Sequence, residues 1–459
     1  MSADVLFIIH DVYQDDNEFP LNIAYLSSIL EEEGYSVETY CMDIFHYTNE
    51  DLAKLLENNE YEIIGVGFMA ARFKETIIDL CKVINKHKKD AWLVLGGHGP
   101  SPIPNYMLNT VKCDAVAVGE AERSILNILR DKKINDNKKI YKSNPIKKLD
   151  DIPLPAWHLF PMKEYIDCKV IPDMEKDDKI ISIITTRGCT NRCTFCYRLE
   201  DFIRLRSIDN VLEEIIELHD RYGINTLNTN DELFLVSEKR QLAFENTLRK
   251  EKLDIKYTIN ARTDIFNKRI AKSLKDSGCI FVNVGFESSK QEVLDEMKKN
   301  TTIEQNIGVL NICKKEELDM GINFIWGYSK DSYESLMNNV ELTKRFTQYK
   351  RVRTIRPVTP YPGSELYYID ISKKLLEGPD DFFNKFENSD LIAVNRTRYP
   401  LKICYKWLLE ANSDLIFDHY KNTDGNMEEA RNKIQSFADL YSGKNKTFRG
   451  LRHYEKNKR

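Results

Sequence analysis

No apolar run in this 459-residue sequence comes near the roughly 20 residues that a membrane-spanning helix needs; stretches such as Val5–Ile9 and Ile63–Phe68 stop after five or six residues. The N-terminus, MSADVLFIIHD, has neither a basic n-region nor a small-residue cleavage site, so no signal peptide is expected and the protein is read as cytoplasmic. Charge of one sign is not in excess. With 67 Lys and Arg against 72 Asp and Glu, the formal net charge of −5 gives no global field for nucleic acid or an anionic membrane. A disulfide framework is absent too, because ten cysteines in a chain this long, in a reducing compartment, stay free. Seven of them (Cys41, Cys81, Cys113, Cys168, Cys279, Cys313 and Cys404) are scattered and read as small core residues. What is present is ample material for buried cores, 42% hydrophobic and 10% aromatic residues, which excludes wholesale disorder. The length suggests about three domains, and no internal repeat is evident.

Residues 1–131 alternate short apolar runs with helical patterns. The runs are Val5–Ile9, Val37–Tyr40, Ile63–Phe68, Trp92–Leu95 and Ala115–Val118. Strand and helix in alternation predict a doubly wound, flavodoxin-like parallel sheet, whose ligands bind beyond the carboxyl ends of the strands. The loops there are His10–Phe19, Met69–Arg72, Gly96–Pro104 and Gly119–Glu122; in Gly96-Gly97-His98-Gly99-Pro100 and Gly119-Glu120-Ala121-Glu122 glycine lets a backbone approach a large ligand closely. A connector follows at 132–179. Its first part, to residue 148, is rich in Lys and Asn and reads as solvated; the part from 149 carries Pro153, Pro155, Pro161 and Pro172 and reads as an ordered crossover.

The densest chemistry lies just beyond. A strand-like run, Ile180–Thr185, leads into Arg187-Gly188-Cys189-Thr190-Asn191-Arg192-Cys193-Thr194-Phe195-Cys196. A zinc site usually wants four protein ligands, and no fourth Cys or His is near. Three thiolates on one short loop suit an iron–sulfur cluster with one iron left open, and an open position is what makes a metal site catalytic. Further strand-like runs end at Asn230-Asp231-Glu232, Asn260-Ala261-Arg262, Gly285-Phe286-Glu287-Ser288, Trp326-Gly327 and Pro357–Pro360, separated by helical patterns at 207–221, 237–251, 266–277, 290–298 with 303–316, and 332–347. Six such units across 180–375 predict a partial (β/α)6 TIM-type barrel, with the polar groups at its strand ends as the site.

The CxxxCxxC loop resembles the signature of radical S-adenosylmethionine (SAM) enzymes. Together with the first region, Pro20–Leu26 and Leu149–Trp157, it resembles the branch with an N-terminal cobalamin-binding domain (class B methyltransferases and anaerobic cyclases). That resemblance implies three cofactors: a [4Fe–4S] cluster on Cys189, Cys193 and Cys196, SAM on its open iron, and cobalamin. It implies that Phe195 packs near the adenine, that Asp231 and Glu232 accept hydrogen bonds from the SAM amino group, and that Glu287 and Ser288 contact ribose or carboxylate. Arg262 would orient a carboxylate or serve as a buried ion-pair partner. Gly96, Gly97, Gly119 and Glu120 would border cobalamin. Two departures stand out: Asn22 occupies a position where the family usually has Gly, and no Asp-x-His-x-x-Gly occurs among the eight histidines. Any cobalamin is therefore expected without a protein histidine on cobalt, and His98 is read as touching cofactor periphery or solvent.

The activity so implied is an oxygen-sensitive radical reaction on a small molecule, fed by an electron donor such as flavodoxin or ferredoxin, with methylation of an unactivated carbon as the leading outcome. Cyclisation, rearrangement or oxidation, and a first domain that no longer binds cobalamin, are the alternatives. A tRNA methylthiotransferase fits less well, since Cys41, Cys81 and Cys113 lack that family's arrangement and no β-rich RNA-binding domain follows residue 375. Residues 376–459 read as a small helical region, with Pro400–His419 as a helix capping the barrel. The final KNKTFRGLRHYEKNKR, with seven Lys or Arg and one Glu, reads as a solvated terminus.

Overall fold

The computed structural model describes residues 3–12, 17–134, 138–168, 175, 177–345, 351–423 and 425–444. The first sheet contains β1 (Val5–Ile9), β2 (Val37–Cys41), β3 (Ile63–Gly67), β4 (Trp92–Gly96), β5 (Ala115–Val118) and β6 (Ile140–Lys142), all parallel in the order β2-β1-β3-β4-β5-β6. Helices Leu21–Glu32 and Glu122–Lys133 cover one face, and Asn49–Asn58, Ile78–His87 and Pro104–Val111 cover the other. Strand β6 corrects the reading of 132–148 as connector alone. It is three residues long, only Tyr141 is buried, and lysines surround it, so no apolar run announces it.

The second sheet runs β14-β13-β12-β11-β10-β7, again all parallel. Its strands are β7 (Ile180–Ile183), β10 (Thr226–Thr229), β11 (Lys256–Ala261), β12 (Cys279–Glu287), β13 (Met320–Trp326) and β14 (Arg356–Pro357). This is the expected partial barrel. Between β7 and β10 a short antiparallel hairpin intervenes, β8 (Thr186–Arg187) with β9 (Arg204–Leu205). The outer helices Ile208–Tyr222, Glu238–Lys250, Lys268–Asp276, Ile303–Lys315 and Tyr333–Lys344 each start on a side-chain cap, from Ser207, Ser237, Asn267, Thr302 and Ser332 in turn. Those caps satisfy backbone N–H groups that the first helical turn otherwise leaves without partners.

The two sheets share one apolar core. Tyr25, Ile125 and Trp157 belong to the same cluster as Ile183, Val211 and Leu415. The crossover 149–167 is ordered as expected, with Phe19 packed against Trp157, Phe160 and Tyr165; Pro172 lies outside the described residues. Helix Pro379–Lys385 turns back to the first sheet, where Phe382, Phe383 and Phe386 join the cluster of Phe73 and Leu80. Helix Leu401–Asn422 flanks the barrel rather than capping it. Asn412 bonds both backbone groups of Ile355 (2.7 and 3.1 Å) next to the edge strand β14, and Trp407 meets Trp326 edge-on. The basic run from 445 onward lies outside the described residues. Among those described, no helix is long and apolar enough to cross a membrane.

Candidate functional site

The carboxyl ends of both sheets face one cavity of about 900 Å³, at the upper end of the range for small-molecule sites. From the first sheet His10, Asn22, Gly67, Gly96, Gly97, His98, Gly119 and Glu120 line it; from the barrel side come Arg187, Gly188, Phe195, Leu199, Asn230, Glu232 and Ile325. The glycines leave room: a Cβ at Gly96 would meet nothing nearer than Ala117 at 4.0 Å, so a side chain there would enter open space. Gly97 is required for another reason. Its φ of +91° is left-handed, and a Cβ would sit 3.2 Å from the Phe68 carbonyl oxygen. Asn22, in the place of the expected glycine, lies on the wall without closing the space.

The three clustered cysteines sit on the loop joining β8 to β9. At the hairpin base Gly188 adopts φ +86°, and a Cβ there would lie 2.1 Å from the Phe202 carbonyl oxygen, so only glycine lets the strands close. The centre of the loop is pinned through Thr194, whose N–H donates to the Met297 carbonyl (2.8 Å), whose carbonyl accepts from Leu366 N–H (2.7 Å), and whose hydroxyl meets the Tyr328 hydroxyl (2.8 Å). Arg198 Nη1 holds the Cys189 carbonyl (3.3 Å). Burial, then the Glu232 carboxylate and the other two thiols, push the Cys196 thiol up to about 12, although the residue's outer edge is exposed. Burial also raises Cys193, against the pull of Lys299 and Arg262. Thiols that raise one another give up their protons when a cation takes their place. A structural zinc is closed by four protein ligands, and this loop offers three thiols, Cys189, Cys193 and Cys196. A cluster takes one thiolate per iron, and a donor set of three thiols on one loop, with no fourth protein ligand, fits a four-iron cluster with one iron left for another ligand.

The remaining expected residues divide. Phe195 and Glu232 reach the cavity; Asp231, Glu287 and Ser288 are not on its wall. The Asp231 side chain is buried and already engaged. Its Oδ1 accepts the N–H groups of Thr185 and Thr186 (2.7 Å each) and its Oδ2 accepts the Thr185 hydroxyl (2.8 Å). It fixes the chain just before the cysteine loop. Glu287 lies at a register shift between β12 and β13 with φ +66°, an uncommon backbone state for a non-glycine residue. Its carboxylate accepts the Lys299 ammonium at 2.8 Å. Ser288, fully buried, accepts Lys290 N–H through its hydroxyl oxygen (3.1 Å). Arg262 takes the ion-pair role, bonding Asp264 (3.1 Å) and the Lys299 carbonyl (2.8 Å).

Glu120 lines the cavity, but its carboxylate is committed across the two sheets, to Arg204 Nη1 (3.0 Å) and Arg187 (3.5 Å), while Glu122 also pairs with Arg187. Two arginines on the cysteine-bearing hairpin thus meet Glu120, in the loop after β5, and Glu122, the first residue of the helix that follows it. The other seven cysteines form no disulfide; six are buried and Cys168 partly so.

Three features escaped the sequence reading. Lys299 is one, since nothing local marks a lysine as buried. His10 is another: its loop, 10–19, was expected at the ligand-binding edge, but not that this residue, directly after β1, stands on the cavity wall. The third is a row of asparagines on the barrel's inner face. Asn283 Nδ2 donates to Asn260 Oδ1 (2.9 Å) and Asn323 Nδ2 to Asn283 Oδ1 (3.0 Å), while Asn260 Nδ2 reaches the Asp231 carbonyl (2.9 Å). Their signal was legible as alternation, in TINA, FVNV and GINF, where apolar neighbours pack outward on the helices. Closed barrels fill such positions with branched apolar side chains; here they are half-buried amides.

Comparison with known proteins agrees with this architecture. Residues 183–343 match the radical SAM superfamily, and residues 14–129 match the B12 binding domain. The chain is 29% identical over 380 residues to an uncharacterized methyltransferase of Pyrococcus horikoshii, covering 78% of this chain and 79% of the relative. It is 27% identical over 384 residues to the anaerobic magnesium-protoporphyrin IX monomethyl ester cyclase of Rubrivivax gelatinosus, covering 76% of this chain and 65% of that one. Its fold is similar to the radical S-adenosylmethionine methyltransferase TsrM of Kitasatospora setae, solved with cobalamin and a [4Fe–4S] cluster, at a TM-score of 0.66 and 15% identity over 82% of this chain and 75% of that one. With a cysteine loop and a glycine-lined sheet edge opening on one cavity, the chain belongs to the radical SAM enzymes that carry an N-terminal cobalamin-binding domain, whose cofactors are a [4Fe–4S] cluster, SAM and cobalamin.

Proposed function

We propose that this enzyme methylates an unactivated carbon of a small polar molecule. The observation that carries this reading is the single cavity: the loop of Cys189, Cys193 and Cys196 and the glycine-lined end of the first sheet open on the same space, so SAM, cobalamin and substrate meet without crossing solvent. When bound, the reduced cluster supplies one electron that cleaves SAM to methionine and a 5′-deoxyadenosyl radical, and cobalamin supplies a methyl carrier; the protein supplies orientation and a dry site.

Cys189, Cys193 and Cys196 would hold the cluster, one thiolate to an iron. Phe195 packs on the adenine. Glu232 accepts the SAM amino group, while Asp231 acts one step removed by holding Thr185 and Thr186. Glu287, paired with Lys299, and Ser288 act one step removed, shaping the end of β12 behind the wall on which the ribose and carboxylate rest. Gly96, Gly97 and Gly119 admit the corrin, and Glu120 locks the two halves together through Arg204. The amides of Asn260, Asn283 and Asn323 give the substrate hydrogen-bonding partners inside the barrel. The domains run 1–131, 132–179, 180–375 and 376–459, the protein works in the cytoplasm, and a flavodoxin or ferredoxin feeds the cluster.

Likeness to a cyclase supports a second reading, ring closure on the same radical chemistry. Mass spectrometry separates them: substrate turned over with methyl-labelled SAM carries the label in a methylase product and lacks it in a cyclase product. Loss of SAM cleavage in C189A, C193A and C196A with retention in C81A and C313A tests the cluster assignment; normal iron and sulfide in a loop variant overturns it.

A further inference from the structure

The strand order of the first sheet reverses between β1 and β3, and cofactors of such sheets lie over that switch point. The residue directly after β1 there is His10, on the cavity wall with Phe68, Met69 and Gly97. Its Nδ1 and Nε2 are both buried, and neither has a hydrogen-bond partner among the described residues. A native protein rarely leaves a buried polar group unmatched without a bound molecule to explain it. Burial, with Arg72 close by, holds the imidazole's pKa down to about 4. Near neutral pH the ring therefore offers one N–H donor and one lone pair.

Two roles suit a neutral imidazole facing a corrin: axial ligand to cobalt, or hydrogen-bonding partner to its rim. A metal-ligating histidine almost always passes its second ring N–H to a carboxylate, carbonyl or water, and His10 has no such protein partner among the described residues. The corrin of cobalamin is fringed with primary carboxamides, whose C=O and NH2 groups complement the donor and acceptor that His10 leaves unmet. We propose that His10 binds cobalamin at its rim, exchanging hydrogen bonds with peripheral carboxamides, and that it does not ligate the metal. The inference rests on the reading that the cavity holds cobalamin. His98, by contrast, sits edge-on to the Tyr197 ring at 6.0 Å and is not needed for this contact.

Titrating hydroxocobalamin into the full-length, cluster-loaded protein, followed by absorbance, tests the proposal. H10F, which keeps an aromatic ring but no polar atom, weakens binding about tenfold or more, a loss of about 1.4 kcal/mol. H10N, an amide able to donate and accept, recovers to within about threefold of wild type. Melting without cobalamin adds a second readout: H10F melts above wild type, because two unmatched nitrogens are gone from the interior. Equal affinity of H10F and wild type overturns the proposal. So does cobalt(II) paramagnetic resonance with nitrogen hyperfine splitting in the wild type that vanishes in H10N, which makes His10 an axial ligand. No hydroxocobalamin binding by wild-type protein overturns the cofactor reading itself, and the His10 proposal with it.

Discussion

Replacing Asp231 separates a residue that holds the site together from one that touches SAM. Its carboxylate accepts three hydrogen bonds, two from backbone N–H groups and one from the Thr185 hydroxyl, all 2.7–2.8 Å. Bonds to a charged group contribute about 1.5–3 kcal/mol each, so D231A forfeits a gross 5–9 kcal/mol, roughly. Part of that returns because a buried carboxylate no longer has to be kept from water, a cost of several kcal/mol. The net loss expected is about 3–4 kcal/mol, the range for breaking a buried network. An amide at the same place keeps both backbone bonds on one oxygen, and the Thr185 hydroxyl is free to reverse and accept from the new NH2. D231N is therefore expected to lose only about 1–2 kcal/mol, since its bonds are no longer charge-assisted. Denaturant unfolding gives the stability, and equilibrium dialysis of SAM against the reconstituted protein gives the affinity. Expected are a large stability loss in D231A, a small one in D231N, and near-normal SAM affinity in D231N. E232Q, at the cavity wall, behaves the opposite way, binding SAM less well with little change in stability. A D231N protein with wild-type stability and no SAM binding refutes the reasoning.

Gly96→Leu is expected to abolish hydroxocobalamin binding while leaving iron and sulfide content unchanged, because the nearest protein atom to its Cβ is 4.0 Å away and the side chain takes the cavity instead; unchanged binding on titration contradicts this. Gly97→Ala lowers the melting temperature of the apoprotein, since φ +91° costs an L-residue about 1–2 kcal/mol. For His10, the unfolded chain takes up a proton near pH 6.5 and the folded one only near 4, so stability is lost as pH falls through that window, by about 3 kcal/mol at most. Asp43, pushed up to about 7 by burial, acts with the opposite sign, gaining stability as pH falls from about 7 toward the unfolded value of 3.8. The His10 contribution is accordingly read as the wild-type slope minus that of H10F, in urea unfolding at pH 4–7. Breaking the clamp between the sheets with R204M, a change at a buried ion pair, is expected to cost about 3–5 kcal/mol and is checked by the same unfolding curves.

The chain's plan was legible because its elements are locally consistent. Strands such as Ala115–Val118 are unbroken apolar runs, as sheets buried on both faces require, and the barrel helices start on Ser, Thr or Asn caps. The cysteine loop was legible because three thiols in eight residues have few other uses. What stayed hidden depended on distant partners. The acid pair Asp231-Glu232 reads alike in sequence, yet one side chain turns inward to Thr185 and Thr186 and the other outward to the cavity. Glu120 looked like a ligand-loop acid until Arg204, 84 residues on, met it. The return of Phe382 and Phe383 to the first sheet has no local cause at all; it follows from an apolar face left bare until the end of the chain covers it.

The central claim, a SAM-cleaving cluster and cobalamin in one cavity, is met most directly by a single anaerobic measurement: iron, sulfide and cobalt analysis, with absorption and paramagnetic resonance spectra, on protein reconstituted with hydroxocobalamin and then given SAM and reductant. Expected are one [4Fe–4S] cluster and one cobalamin per chain, a cluster signal that changes when SAM is added, and loss of the cluster but not of cobalamin in C196A. A wild-type chain that holds iron without cobalt, or a C196A chain that keeps its full cluster, contradicts the claim.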